Sequence, residues 1–329
     1  MRAFFTAILL LLGVIVYGII DLFPSEKLKD WIEHKGIFTE SVFSAEKDTT
    51  FFEKSQPWDS LYLDAPSEDF KAEAGTLNIV SWNIRHLGRS KTKEEIYEMA
   101  DLLREYDLVL IQEVVAKDPA GAQAVAKLAD ELNRMGAQWD YQVSDPTQSP
   151  TPYLSERYAF LWKPSKVQML HRAHLDKELE DLFFREPFIG EFRMKGQDSS
   201  FYAVNYHSRK YTDKPEEEII HFIDYPERFG TDRIILAGDF NLSETHEVWK
   251  PLSRKGFSPA LHNAPSTLKQ KCKEDEYLNH GIDNFYSLPG IAPVAASRLD
   301  FVGNCENLIH ARGISDHLPI LMKFRLHTE

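Results

Sequence analysis

Asn83, Glu113, Asp239, Asn241, Asp316 and His317 carry the oxygen and imidazole groups that hold a hard divalent cation and aim a water at phosphate. They sit in four short polar clusters: Ser81-Trp82-Asn83, Gln112-Glu113, Gly238-Asp239-Phe240-Asn241 and Ser315-Asp316-His317. The first three clusters follow apolar, strand-like runs, Leu77–Val80, Leu108–Ile111 and Arg233–Ala237. Function collects where a rigid strand ends and a loop begins.

Each cluster also has a plainer reading. Asp239 and Asn241 lie two apart, so in extended backbone they share a face. The carboxylate can orient an attacking water and the amide can donate to a phosphoryl oxygen, but an Asx turn closing a strand uses the same residues. Asp316 beside His317 offers a metal ligand and a phosphate-facing imidazole, or only a polar loop before a last strand. Glu113 ends an apolar strand, where a carboxylate is costly unless solvated, paired or metal-bound. Asn83 can be a cap. His207 can be a structural histidine, and Asp283 a turn residue, with Asp300 a second candidate for its role. The weight comes from the joint pattern, because independent plain readings would have to coincide at all of these strand ends.

The elements that must position these residues read as a mixture of strands and helices. Leu77–Ser81, Leu108–Gln112, Tyr158–Trp162, Val167–Leu170, Ile189–Arg193, Phe201–Tyr206, Arg233–Ala237, Ile282–Tyr286 and Pro319–Arg325 read as strands. Thr92 and Glu95 have the spacing of a capping box. Ile96, Met99, Ala100 and Leu103 then follow helical periodicity, and Val125, Leu128, Ala129 and Leu132 mark a second helix. Helical segments are expected near Glu216–Phe222 and Thr245–Leu252. Many strands with few helices predict two packed sheets with helices outside.

Net charge is −13 over 329 residues. So acidic a chain is a poor generic binder of nucleic acid, so a nucleic-acid substrate would need a local basic patch and metal ions. Cys272 and Cys305 are the two cysteines. They form no zinc spacing, and read either as one bridge in an oxidising compartment or as two unpaired core residues. Residues 3–20 are apolar apart from Thr6, Gly13, Tyr17 and Gly18, with Arg2 before and Asp21 and Glu26 after. This favours an uncleaved membrane anchor over residues 1–22, ahead of a cleaved signal or a core helix, with the bulk of the chain outside the cytoplasm or secreted. Residues 23–74 read as a polar stalk whose aromatics pack in part onto the domain, and residues 75–329 as the catalytic domain.

As a group, Trp82-Asn83, Gln112-Glu113, Asn205-Tyr206-His207-Ser208, Gly238-Asp239-Phe240-Asn241, Ile282-Asp283 and Ser315-Asp316-His317 resemble, in order and spacing, the endonuclease/exonuclease/phosphatase superfamily. The resemblance covers roughly Leu77 to Leu326. Asn83-Ile84-Arg85, Glu156-Arg157-Tyr158-Ala159-Phe160-Leu161 and Arg185-Glu186-Pro187 make it look closest to deoxyribonuclease I-like nucleases. It departs from them at Leu154, where those nucleases carry a tyrosine; Tyr153 is shifted by one. No clear match to their calcium loops or disulfides is seen.

The resemblance implies a four-layer α/β sandwich, two mixed sheets flanked by helices, and a divalent-metal-dependent phosphodiesterase cleaving DNA, with RNA as an alternative substrate. It implies Mg²⁺, with Mn²⁺ or Ca²⁺ as substitutes, held by Glu113 with Asn83 and Asp316 nearby. Asp239 would position water, and Asn241 would bind a non-bridging oxygen. His317 backed by Asp283 and His207 backed by Glu156 would hold the phosphate and shuttle protons. Arg85 and Arg185 would contact flanking phosphates. Two rivals stand beside this reading: a sphingomyelinase-like lipid or small-molecule phosphodiesterase, and an inactive binding module on the same scaffold. An abasic-site repair enzyme fits less well with an anchored or secreted domain. No protein partner is evident.

Overall fold

The computed structural model describes residues 68–149, 151 and 154–327. Along the chain run β1 (Leu77–Leu87), α1 (Lys93–Leu103), β2 (Leu108–Val115), α2 (Ala120–Arg134), β3 (Asp140–Val143), β4 (Glu156–Trp162), β5 (Val167–Met169), β6 (His174–Leu175), β7 (Phe188–Met194) and β8 (Ser200–His207). There follow α3 (Glu216–Ile219), α4 (Tyr225–Phe229), β9 (Ile234–Asp239), α5 (Trp249–Arg254), β10 (Ser258–Pro259), β11 (Leu268–Lys273), β12 (Glu276–Leu278), β13 (Asp283–Ser287), β14 (Ile291–Arg298), α6 (Leu308–Ile314) and β15 (Ile320–Leu326).

The strands form two mixed sheets. One has the order β14-β15-β1-β2-β4-β3; the other has β10-β13-β9-β8-β7-β5, with β6 beside β7. In each sheet one central pair is parallel, β1 with β2 and β8 with β9, while their other neighbours are antiparallel. Apolar side chains cover both faces of these central strands, so their sequences read as continuous hydrophobic runs rather than as alternation. On β1, Leu77 and Ile79 face the core between the sheets, together with Phe160 and Met322 of the same sheet and Phe192 and Ala237 of the other. Val80 and Trp82 face outward into a layer with Met99, Leu103, Leu128 and Leu308 from α1, α2 and α6. Val204, Tyr206 and Leu236 on the second sheet's outer face meet Phe222, Tyr225, Trp249 and Leu252. Three apolar layers therefore separate four layers of backbone, the sandwich expected.

The capping box at α1 is present: Glu95 N–H donates to Thr92 Oγ1 (3.1 Å), and Thr92 N–H to Glu95 Oε2 (2.8 Å). Other boundaries differ from the sequence reading. The helix expected over Glu216–Phe222 is one α turn, α3, followed by a 3₁₀ segment. The helix expected from Thr245 begins at Trp249. Several elements were not expected: the short strands β3, β6 and β10, the hairpin β11–β12, the edge strand β14, and the short helices α4 and α6. Pro293 lies in β14 at a register slip, which an edge strand tolerates and which hides it from propensity.

Cys272 on β11 and Cys305 are bridged, with Cα atoms 5.7 Å apart, so the bridged alternative holds. Residues 68–74, read as the end of the stalk, pack on the domain. Phe70 is buried against Tyr106, and its carbonyl accepts from Asn78 Nδ2 (2.8 Å). The anchor expected over residues 1–22 and the stalk up to residue 67 lie outside the described residues. Among the described residues, no helix is long and apolar enough to cross a membrane.

Candidate active site

The clusters Ser81–Asn83 and Gln112–Glu113 lie inside β1 and β2, not beyond their ends as expected. The strands continue because Ile84, Leu87 and Val114 still find buried apolar cover. The pairing slips at these places, between Asn83 and Leu87 on β1 and between Ile111 and Val114 on β2. Glu113 has φ 59° and His86 φ 51°, in the left-handed region. A bulge of this kind re-aims a side chain out of the pleat, and it turns Glu113 toward Asn83.

Polar bonds tie the two sheets together beneath this point. Gln112 Nε2 donates to Ser81 Oγ (3.0 Å) and to Asn205 Oδ1 (2.7 Å). Asn205 Nδ2 donates to the carbonyls of Ile111 and Ala159, both at 3.1 Å. Gln112 and Asn205 are fully buried, so losing one partner would leave the other unpaired in a low-dielectric interior.

Above this tie, β8, β9 and β13 deliver His207, Asp239 and Asp283 to one end of the sheet, and the loop after α6 delivers His317. His207 Nδ1 lies 2.8 Å from Glu156 Oε1, and His317 Nδ1 lies 2.9 Å from Asp283 Oδ2. The Nε2 atoms of both rings face Asp239 Oδ2, at 3.5 Å and 3.7 Å. Asp239 Oδ2 also accepts from Asn83 Nδ2 (3.0 Å), and Oδ1 from Asn241 N–H (2.9 Å). Burial works against charge on both rings. The facing carboxylates prevail, Glu156 foremost at His207 and Asp283 foremost at His317, so both pKa values rise, that of His317 to about 10. Burial, then repulsion from Asp283, raises the Asp239 carboxyl above its ordinary range.

Asp283 is held by a residue the sequence reading did not single out. Ser266 Oγ donates to Asp283 Oδ2 (2.5 Å) and accepts from Asp283 N–H (3.2 Å). Asp300, the other candidate for this role, accepts from Tyr277 Oη (2.8 Å) and from Val302 N–H (3.1 Å), which makes it a turn residue. Further supports stand in the motifs read from the sequence, but without a role assigned to them there. Tyr158 Oη accepts from His207 N–H (3.2 Å), Trp82 Nε1 donates to His317 carbonyl (2.8 Å), and Ser315 Oγ donates to Asn83 carbonyl (2.6 Å). Lys91 Nζ donates to the carbonyls of Gly313 and Ile314, fixing the end of α6.

The cation site expected at Asn83 and Glu113 fits a hard divalent ion. Asn83 Nδ2 donates to Glu113 Oε1 (3.2 Å), while Asn83 Oδ1 is buried with no hydrogen-bond partner. A buried orphan amide oxygen beside a carboxylate is the donor set that Mg²⁺, Mn²⁺ or Ca²⁺ prefers. The Asp316 carboxylate is engaged by two guanidiniums, lying 3.6 Å from Arg85 and 3.7 Å from Arg312. Asp239, Asp283 and His317 also bring one donor atom each within 4.8 Å of one another. That trio already holds the cationic His317 ring, hydrogen-bonded to Asp283, so it is better satisfied as a carboxylate–imidazolium group than as a metal cage.

Arg85 is half-exposed at the rim, where a phosphate can reach it. Arg185, expected to contact a flanking phosphate, is largely buried. Its Nη1 donates to Ser208 carbonyl (2.9 Å) and its Nε lies 3.4 Å from Glu156 Oε2. A buried guanidinium needs such partners, and here they turn its fork inward, behind His207. Leu154 is exposed, and Tyr153 lies outside the described residues.

The model of the Endonuclease/Exonuclease/phosphatase family matches residues 80–317, from β1 to the second imidazole. The chain belongs to this family. It is thus a phosphoester hydrolase of the endonuclease/exonuclease/phosphatase type. It is similar to a protein named deoxyribonuclease from Thioalkalivibrio sp. (strain K90mix), at 30% identity over 78% of this chain and 73% of that one. It is similar to deoxyribonuclease-1 of Oryctolagus cuniculus, at 32% identity over 75% of this chain and 92% of that one. Among solved structures it matches the fold of a mannosyl-6-phosphatase from Bacteroides thetaiotaomicron VPI-5482, with a TM-score of 0.55 and 14% identity, over 75% of this chain and 99% of that one.

Proposed function

We propose that this chain is a divalent-metal-dependent endonuclease that hydrolyses DNA phosphodiester bonds. The observation that carries the reading is the convergence of two carboxylate-backed imidazoles on Asp239 Oδ2. The deoxyribonuclease relatives support DNA as substrate. In this reading a water resting against Asp239 loses its proton to that carboxylate as it attacks phosphorus. The raised affinity of Asp239 for protons suits it to act as base. His317, kept cationic by Asp283, donates to the phosphate and returns a proton to the leaving oxygen; His207, kept in place by Glu156, donates to the opposite side. Asn241 supplies an amide hydrogen to a non-bridging oxygen. Asn83 and Glu113 would hold Mg²⁺, or Mn²⁺ or Ca²⁺ in its stead, with Asp316 at the rim. When bound, the ion neutralises charge on the phosphate. Arg85 meets a flanking phosphate, giving position without sequence preference. Arg185 acts as a positioning residue for Glu156.

The apolar run over residues 3–20 supports holding the catalytic domain at a membrane or exporting it. The same run, with the net charge of −13, is what favours the second reading, a lipid phosphodiesterase. The two separate on substrate. The full chain is offered supercoiled plasmid, sphingomyelin vesicles and a sugar phosphate, each with Mg²⁺. Nicking of plasmid above any turnover of the others supports the endonuclease; sphingomyelin hydrolysis with plasmid intact refutes it.

A further inference from the structure

A cavity of about 410 Å³ opens beside Asn241, within the roughly 300–1,000 Å³ of small-ligand pockets. Its walls come from three neighbouring strand ends of the second sheet. Tyr211 stands on the loop after β8, Asn241, Leu242 and Ser243 follow β9, and His280 and Ile282 precede β13. Those same ends present His207, Asp239 and Asp283 to the phosphate site, and Asn241 belongs to both. Whatever fills the cavity therefore lies beside a phosphate held by Asn241.

Tyr211 is 70% exposed, far more than the other tyrosines of the described domain named among its exposed hydrophobics. Its loop is nevertheless pinned. Arg209 N–H and Nε donate to the two oxygens of the fully buried Glu218 (2.6 Å and 3.0 Å), and Glu218 Oε2 also accepts from Phe184 N–H (2.8 Å). Pro215 and the left-handed Lys214 (φ 60°) close the turn. A buried carboxylate thus holds an aromatic ring out in solvent on a fixed backbone, at the mouth of a cavity walled by Leu242 and Ile282.

We infer that this cavity receives the nucleoside attached to the scissile phosphate, with its base stacked on Tyr211. The inference rests on the endonuclease reading and deepens it. A flat ring over an apolar wall takes any base, because every base has a π-face, so the pocket gives grip without sequence readout. Glu218 is then a positioning residue, since it acts only through the loop that carries Tyr211.

The test is a two-way cycle with the full chain, Mg²⁺ and single-site oligonucleotides in which a tetrahydrofuran abasic analogue replaces one nucleotide at a time around the cut. Tyr211→Ala is expected to lower kcat/KM roughly tenfold on intact DNA, and Tyr211→Phe to restore it. At one position adjacent to the cut, the abasic analogue should make wild type and Tyr211→Ala equal, since the two deletions remove the same contact. An unchanged kcat/KM for Tyr211→Ala, or an equal loss on every abasic oligonucleotide, overturns the inference while leaving the endonuclease intact. Failure of the wild type to cut any of these DNAs overturns the endonuclease reading, and this inference with it. Tyr211 is exposed, and the Tyr211→Phe variant separates lost stacking from lost fold.

Discussion

His207 at the end of β8 and His317 in the loop after α6 both approach Asp239 Oδ2, with Nε2 distances of 3.5 Å and 3.7 Å, and each ring has its own carboxylate behind it. The carboxylates do the electrostatic work of keeping buried rings charged, and Asp239 gives both rings one target. If both rings act on phosphate, His207→Ala and His317→Ala each lower kcat by roughly 10²–10⁴-fold. Thermal unfolding of each variant, followed beside its turnover on plasmid, separates lost chemistry from lost fold. Near-normal turnover of either folded variant contradicts its role.

The His317 pair fixes a pH dependence. The folded pKa is about 10 against 6.5 for a free ring. A raised pKa contributes stability that is fully present below pH 6.5 and is lost as pH rises through about 10. Asp283→Asn removes the foremost of the groups that raise it, so the ring should titrate at lower pH, and the alkaline limb of kcat should move the same way. Nitrogen-15 spectra of the imidazoles read the first effect directly. An unmoved His317 titration in Asp283→Asn would disprove the assignment of Asp283.

Metal affinity should follow Asn83 and Glu113. Glu113→Gln and Asn83→Ala are expected to weaken Mg²⁺ binding by at least about tenfold, as measured calorimetrically on the full chain. Asp316→Asn should weaken it less, because its carboxylate is already engaged by Arg85 and Arg312. A larger effect at Asp316 than at Glu113 would move the ion toward the rim.

Gly238 governs the approach of β9 to β8. Its φ is +147°, and a Cβ there would stand 1.8 Å from Tyr206 carbonyl. Backbone cannot yield as a flexible side chain can, so Gly238→Ala should cost roughly 3 kcal/mol or more. It should also displace Asp239 from His207, which denaturant melts and turnover would register together. A variant with wild-type stability and activity would show that the strand pair has slack.

The Cys272–Cys305 bridge closes a loop with a sequence separation of 33. On the chain-entropy account such a loop contributes roughly 3–4 kcal/mol. β11 continues from Thr267, which bridges to His317, and Leu268 N–H donates to Asp316 carbonyl (2.8 Å). Reduction, or Cys272→Ser with Cys305→Ser, should lower the melting temperature and also reduce kcat. Loss of stability with kcat unchanged at low temperature would confine the bridge to a structural role.

Much of this was legible in the sequence because the site is built where buried central strands meet polar residues. An Asp, a Glu or an Asn at such a place is costly without a task, and six of them in order amount to a pattern. What stayed hidden depends on folding over distance. Glu113 reads as a strand-end residue, yet it sits in a bulge that only the pairing with β4 reveals. Arg185 reads as a phosphate contact because its neighbours match a motif, yet its partners, Glu156 on β4 and Ser208 just after β8, come from elsewhere in the chain. Ser266 is 17 positions from Asp283 and has no motif at all. The helix expected from Thr245 starts late because 243–248 spend their polar groups on turns, with Ser243 carbonyl accepting from Trp249 Nε1 (3.0 Å).

The most direct measurement is nicking of supercoiled plasmid by the full chain with Mg²⁺, beside EDTA and His317→Ala controls. Nicking that disappears in EDTA and falls by orders of magnitude in folded His317→Ala is the expected result. Intact plasmid from a folded wild type across Mg²⁺, Mn²⁺ and Ca²⁺, or nicking indifferent to His317, would contradict a metal-dependent endonuclease working through Asp239 and its two imidazoles.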